Sequence, residues 1–195
     1  MQIKTFCGEA IAPHIDDLAR LRIEVFRAFP YLYDGDLAYE RDYLSTYARS
    51  AESLFVLAQE SDRVVGAATG VPMEDETDAF KRPFAEAGWN PDEIFYFGES
   101  VLLPEYRGQG LGVRFFEERE AYARRFGRFR YCAFCAVERP ANHPLRPADY
   151  VSLNDFWANR GYRHQPQLRT EYRWKDIGEE QESTKPMSFW IRELS

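Results

Sequence analysis

Apolar residues recur at helical spacing from Ile15 to Phe29, where Leu18, Leu21, Val25 and Phe29 share one face and Pro30 stops the run. A short strand, Ile3 to Phe6, precedes it. A turn-like stretch, Tyr31-Leu32-Tyr33-Asp34-Gly35-Asp36, leads to a second helix with Tyr39, Tyr43 and Tyr47 four apart on one face. The pattern then turns to strands: Leu54 to Gln59, a turn at Glu60-Ser61-Asp62-Arg63, and a return from Val64 to Val71. Residues 72–93 are polar with several Pro and Gly; they read as an insertion over the sheet with one helix from Thr77 to Ala87. Ile94 to Leu103 is the clearest strand, rich in aromatic and aliphatic residues.

Leu111, Phe115, Tyr122 and Phe126 mark one face of a long helix, with Glu120 and Arg124 as an i,i+4 pair on its other side. A strand from Tyr131 to Val137 and a loop with Pro140, Pro144 and Pro147 follow. Ser152 caps a short helix running to Arg160 and ended by Gly161. Thr170 to Lys175 and Met187 to Leu194 are closing strands, the latter within a C-terminal segment, 176–195. This order predicts a single α/β domain over residues 1–195, with a mixed, mostly antiparallel sheet between helices on both faces.

Composition narrows the partners. The formal net charge of −7 argues against nucleic acid and anionic membranes, which demand clustered Lys and Arg. No stretch is long and apolar enough to span a membrane, and Met1 to Phe6 lacks the pattern of a signal peptide. Three cysteines without a framework spacing point to reduced thiols and a cytoplasmic protein. Cys132-Ala-Phe-Cys135 has the C-x-x-C form, but in a strand its two thiols face opposite sides, so no metal site is expected.

The chemistry concentrates where a strand runs through Leu103-Pro104-Glu105-Tyr106 into Arg107-Gly108-Gln109-Gly110-Leu111-Gly112 and then a helix. Glycines let the backbone turn its N–H groups toward one point, and the helix start behind them adds unpaired N–H groups and a positive dipole end. Such a loop suits a pyrophosphate, with Arg107 as a mobile charge beside it. The G-x-x-x-x-G-K-[ST] and G-x-G-x-x-G patterns are both absent, which excludes the commonest nucleotide loops.

The run Val101 to Gly112 resembles motif A of the GNAT superfamily of N-acetyltransferases, with Arg107, Gly110 and Gly112 at its three defining positions. Phe156-Trp157-Ala158-Asn159-Arg160-Gly161-Tyr162 is similar to the family's late F-Y-x-x-x-G-F signature, and the order of elements matches along essentially the whole chain. The resemblance implies acetyl-CoA, or another acyl-CoA, bound between two splaying strands. It implies that Val101, Leu102 and Leu103 line the pantetheine arm and that Arg107, Gly108, Gln109, Gly110, Leu111 and Gly112 hold the pyrophosphate. An amine would then attack directly in a ternary complex.

Glu99 is the first candidate for the base, because it shares a strand face with Val101 and family members often carry a carboxylate there. A glutamate satisfied by a neighbouring arginine is the competing reading. His143 and Glu138 are alternatives. Relatives frequently place a tyrosine at the position of Trp157 to protonate the leaving thiolate; an indole N–H is no useful acid, so Trp157 is counted with the cofactor contacts and Tyr150 becomes the candidate donor. Phe26, Phe29, Tyr31, Tyr33, Tyr39 and Tyr43, with Asp34, Asp36 and Glu40, form an aromatic–acidic mixture suited to a small-molecule amine. Phe29, Tyr31, Tyr33 and Asp34 are the acceptor candidates within it, while Asp34 and Asp36 beside Gly35 also have the place of turn residues. Acetylation of a protein N-terminus or lysine, and acyl-CoA binding without turnover, are the other readings. A monomer and a homodimer are both compatible with the sequence.

Overall fold

The computed structural model describes residues 1–194. Its strands and helices in chain order are β1 (Gln2–Cys7), α1 (Ile15–Phe26), α2 (Leu37–Arg49), β2 (Leu54–Glu60), β3 (Arg63–Pro72), α3 (Asp78–Glu86), β4 (Ile94–Tyr96), β5 (Ser100–Leu102), α4 (Leu111–Arg124), β6 (Tyr131–Val137), α5 (Asn154–Ala158), β7 (Arg163–Trp174) and β8 (Ser183–Glu193). The strands form one sheet in the order β1-β2-β3-β4-β6-β8-β7, with β5 also on β3. Every pairing is antiparallel except β4 with β6.

Local chemistry accounts for most boundaries. Asp36 caps α2 by accepting the Tyr39 N–H at 2.9 Å, the N-cap role its short carboxylate favours. Helix α1 stops at Phe26, three residues before the predicted end, and Phe29-Pro30 is a cis peptide. The β2–β3 hairpin turns at Ser61-Asp62, with Ser61 at φ +54°. In the 72–93 insertion, α3 turns Phe80 and Phe84 inward against Phe189. Burying a phenylalanine is worth about 1.5–3 kcal/mol, which gives a short, proline-containing helix a reason to dock.

Three expectations are corrected. The predicted strand Ile94–Leu103 is broken into β4 and β5, because residues 97–99 hold an extra residue that local alternation does not reveal. The closing strands start earlier than predicted, at Arg163 and Ser183; a register irregularity between Gln165 and Arg169 accommodates Pro166. Glu120 lies inside, not on the outer side of α4: it is 6% exposed and accepts from Tyr162 Oη (3.0 Å) and Arg192 Nη1 (2.8 Å), both brought by later strands. Arg124 still approaches it at 3.8 Å. Cys132 is buried next to the α4 side, while Cys135 meets Tyr96 Oη at 3.0 Å across the sheet.

Candidate active site

The broken strand creates the site. β3 is in register with β4 at Val71↔Tyr96 and with β5 at Ala68↔Ser100, a slip of one residue that leaves a bulge at Phe97-Gly98-Glu99. Before the bulge, β4 runs parallel to β6, and the last bond between them is Phe97 N–H to Ala133 O at 2.8 Å. Beyond it β5 follows β3 and β6 follows β8, so the two part. Glu99 O accepts from Thr69 N–H (3.1 Å), and Leu103 N–H donates to Val65 O (3.0 Å). By alternation the main-chain groups of Ser100 and Leu102 face the gap instead. Leu103 therefore spends its amide on β3 and is not open to a ligand there.

A buried arginine braces the bulge. Arg119 is 1% exposed; its Nη1 donates to Thr69 O (3.1 Å) and Glu99 O (3.0 Å), its Nη2 to Ser100 Oγ (2.8 Å) and its Nε to Phe115 O (3.0 Å). Its guanidinium carbon lies 4.0 Å from the Phe97 ring centroid. Burial brings its pKa down to about 10.

On the opposite face stands an acid–base–acid arrangement. Arg22 of α1 reaches Glu99 Oε2 at 2.5 Å and donates through Nε to Glu40 of α2. All three are buried, and Phe26 and Tyr43 flank the guanidinium with ring centroids at 5.1 and 4.4 Å. Burial opposes the charge on Arg22, but Glu99, Tyr43 and Glu40 together raise its pKa well above the ordinary value. Two carboxylates face one guanidinium, leaving one net negative charge. The Oε1 atoms of Glu40 and Glu99 meet no donor at close hydrogen-bond geometry among the described residues, and the Tyr33 hydroxyl interacts with the Glu40 carboxylate. Buried polar atoms are rarely left without a partner, so a water or a polar ligand group would satisfy them.

Glu40 lines a cavity of about 90 Å³ with Arg22, Tyr31, Tyr33, Tyr43, Gly98 and Cys135, among others; Glu99 pairs with Arg22 of that wall and is not itself part of the lining. Gly98 stands on the bulge, so the cavity reaches the point where the strands part. A Cβ there would come within 2.7 Å of Thr69 Oγ1 and Tyr47 Oη, so only glycine fits. Burial, and then the charge of Glu40, pushes the Tyr33 phenol up; burial does the same to Tyr31. Across the top, the Tyr39 and Tyr172 hydroxyls meet at 2.7 Å and join α2 to β7.

At the far side of β5 the glycine loop has the form an anion needs. Gly108 (φ +74°) and Gly110 (φ +83°) are left-handed, and a Cβ on either would meet nothing within 4 Å. Their conformation, not crowding, calls for glycine. The first helical bond of α4 is Arg114 N–H to Gly110 O (3.1 Å); among the described residues nothing accepts from the amides of Gly108 to Val113. Arg107 is exposed and tethered through Nε to Leu102 O at 3.2 Å. At Gly112 a Cβ would stand 3.3 Å from Phe156, so this glycine lets α5 pack against the loop.

Other sequence candidates fall elsewhere. Trp157 is half-buried between Phe134 and Trp190, with centroids at 5.1 and 5.2 Å. Tyr150 packs edge-on to Phe29 at 4.7 Å, and neither lines the cavity. Asp34 pairs with Lys175 at 2.7 Å and with Arg27 at 3.5 Å, also off the cavity wall. Glu138 pairs with Arg169 at 2.9 Å, and His143 Nδ1 accepts the Leu145 N–H at 3.2 Å. Arg22 and Arg119 are not among the sequence candidates; Glu40 is, and it lines the cavity. The signal was present: Arg22 and Arg119 each fall four residues after a core residue, Leu18 and Phe115, on the face the helical period turns inward.

Comparison with known proteins bears on this geometry. No curated protein matches the chain. Among solved structures, a ribosomal-protein-alanine N-acetyltransferase from Brucella melitensis is 16% identical over 100% of both chains, with a TM-score of 0.62. A Salmonella typhimurium protein determined with its cofactor acetyl-CoA is 12% identical, with 99% of this chain and 94% of that chain covered and a TM-score of 0.59. An aminoglycoside 6'-acetyltransferase type Ii is 15% identical over 100% of this chain and 98% of that chain, with a TM-score of 0.59. These likenesses establish a shared fold. The model of the acetyltransferase (GNAT) family matches residues 16–148, more than half of the sequence and all of the parted strands and glycine loop, and the chain belongs to that family.

Proposed function

We propose that this protein transfers an acetyl group from acetyl-CoA to the primary amine of a small molecule, by direct attack in a ternary complex. The observation that carries the reading is a cavity that holds the buried carboxylate of Glu40 and meets the parted strands at Gly98. Acetyl-CoA supplies the acetyl group as an activated thioester.

The amides of Gly108 to Gly112 and the helix start behind them fit a pyrophosphate, and Arg107 keeps guanidinium N–H groups free to reach it. The gap-facing main chain of Ser100 and Leu102 suits the amides of a pantetheine arm. Glu99, on the strand beside the gap, takes the proton an ammonium must lose before attack; Arg22 fixes its orientation. Tyr31 lines the cavity where Tyr150 does not, so its hydroxyl takes the place of Tyr150 as donor to the leaving sulfur. The cavity is small and walled largely by aromatic rings, which favours a small molecule over a peptide.

Calorimetric titration with acetyl-CoA, with NAD as comparator, tests the cofactor; an amine panel with thiol-release detection tests the transfer. Acetyl-CoA should bind and NAD should not. Glu99→Gln should flatten the pH–rate profile and slow turnover by about 10²-fold or more, the usual scale of general-base catalysis. An unaltered profile would remove Glu99 from the mechanism.

A further inference from the structure

The cavity at Gly98 does not end at its aromatic wall. Tyr39, Tyr43, Phe80 and Tyr172 also line a second, outer chamber of about 180 Å³. Its remaining wall is acidic, with Asp42 from α2 and Asp75 and Glu76 from the stretch after β3. Glu76 is 6% exposed and held by the Tyr47 O–H and the Thr77 N–H. Asp75 and Asp42 are exposed; Asp75 Oδ2 accepts from Ser50 Oγ at 2.5 Å, and Asp42 has no ion-pair partner among the described residues. Lys81, the cation whose charge reaches Glu76, pairs with Asp78 at 3.3 Å.

The two chambers share this aromatic wall, and each has a negative pole beyond it. The inner pole is the Glu40–Arg22–Glu99 group, and the outer pole is Asp42, Asp75 and Glu76. Between them stand Tyr43 and Tyr47, with ring centroids 5.1 Å apart. Two carboxylates face the one guanidinium and three more line the outer chamber, an excess that disfavours an acceptor carrying a carboxylate of its own. Aromatic faces between acidic ends suit a flexible chain with a cation at each terminus.

Resting on the acetyl-transfer reading above, we infer that the acceptor is a linear diamine, with one primary amine at the inner pole for acetylation and a second cation held at the outer pole. The outer carboxylates act on affinity and the inner ones on chemistry, so the second cation should show in KM more than in kcat.

The test compares butanediamine and hexanediamine with butylamine and hexylamine as acceptors, on the full chain with acetyl-CoA. A charge-assisted contact predicts a kcat/KM advantage for the diamines on the order of tenfold or more, carried by KM and shrinking as salt is added. In the double variant Asp42→Asn/Asp75→Asn the diamine-to-monoamine ratio should fall toward one. Monoamines used as well as diamines, or a ratio that survives in the double variant, would overturn the inference while leaving acetyl transfer standing. Turnover of none of the four amines by protein that binds acetyl-CoA would overturn both.

Discussion

Arg22→Leu tests how the site is held together. Arg22 sits 8% exposed between Glu40 and Glu99, and leucine would leave two buried carboxylates facing each other without a counter-charge. Breaking a buried pair by removing one partner costs about 3–5 kcal/mol. A domain's whole stability is about 5–15 kcal/mol, so the variant should remain folded but close to its limit. At about 2–4 °C per kcal/mol for a chain of this size, the melting midpoint should fall by about 6–20 °C. Leucine also gives up the guanidinium's contact with the Phe26 and Tyr43 rings, a loss the triple variant shares, so the difference between the two reports the stranded charges. Urea unfolding at neutral pH, followed by tryptophan fluorescence, measures it. The companion is the triple variant Arg22→Leu/Glu40→Gln/Glu99→Gln, in which no charge is stranded; it should recover at least half of the lost stability. A cost below about 1 kcal/mol, the range of a surface pair, would refute the reasoning. So would a triple variant no more stable than Arg22→Leu.

Gly110→Ala should cost about 1–2 kcal/mol in stability, from its φ of +83° alone, since its Cβ meets nothing; calorimetry should nonetheless show acetyl-CoA affinity falling more than tenfold, and retained affinity would remove the loop from cofactor binding. Arg119→Met strands the Thr69 carbonyl and leaves Glu99 O only its bond from Thr69 N–H, and should lower stability by about 1–3 kcal/mol in urea melts; an unchanged midpoint would mean the bulge holds without its brace. Glu76→Gln tests a pH dependence. Burial raises the pKa of Glu76 above its ordinary 4.5, against the pull of Tyr47 and Thr77, so its contribution is full below about 4.5 and is lost as pH rises through the folded value. The glutamine variant lacks that loss, so its stability relative to the parent should improve over the same window; parallel urea midpoints from pH 4 to 8 would contradict the assignment.

What the sequence disclosed and what it hid separate by range. The glycine loop, the hairpin and the tyrosine-bearing α2 are written in residues within a turn or two of each other, so periodicity and turn chemistry reach them. Asp36 was legible as a turn residue for the same reason, since its carboxylate caps the helix it precedes. The bulge was not, because one extra residue leaves both halves of Ile94–Leu103 alternating correctly and only the partner strand β3 reveals the slip. Glu120 was placed outside because Arg192 and Tyr162, which hold it, lie 72 and 42 residues further on. Glu99 was singled out by position on its strand, yet Arg22, which now governs it, comes from a helix 77 residues earlier and could not be matched to it by spacing. Asp34 shows the converse: a carboxylate in a promising neighbourhood whose distant partner, Lys175, takes its charge.

The bulge has a consequence for how the chain acquires its shape. β1, β2, β3 and β5 all lie within the first 102 residues and are joined only by antiparallel pairings, whereas β6, β8 and β7 are supplied by residues 131 to 193. The two blocks meet along the three-residue stretch Ile94–Tyr96, which belongs by sequence to the first and by its parallel bonds to the second. During synthesis, which proceeds from the N-terminus, the first block can form its hairpins before the second leaves the ribosome. Arg119, carried on α4 between the two in the chain, is bonded to Thr69 and Glu99 and so ties the edge of the first block at the seam where β6 lies. The cleft in the finished enzyme is thus the unsealed remainder of an assembly joint.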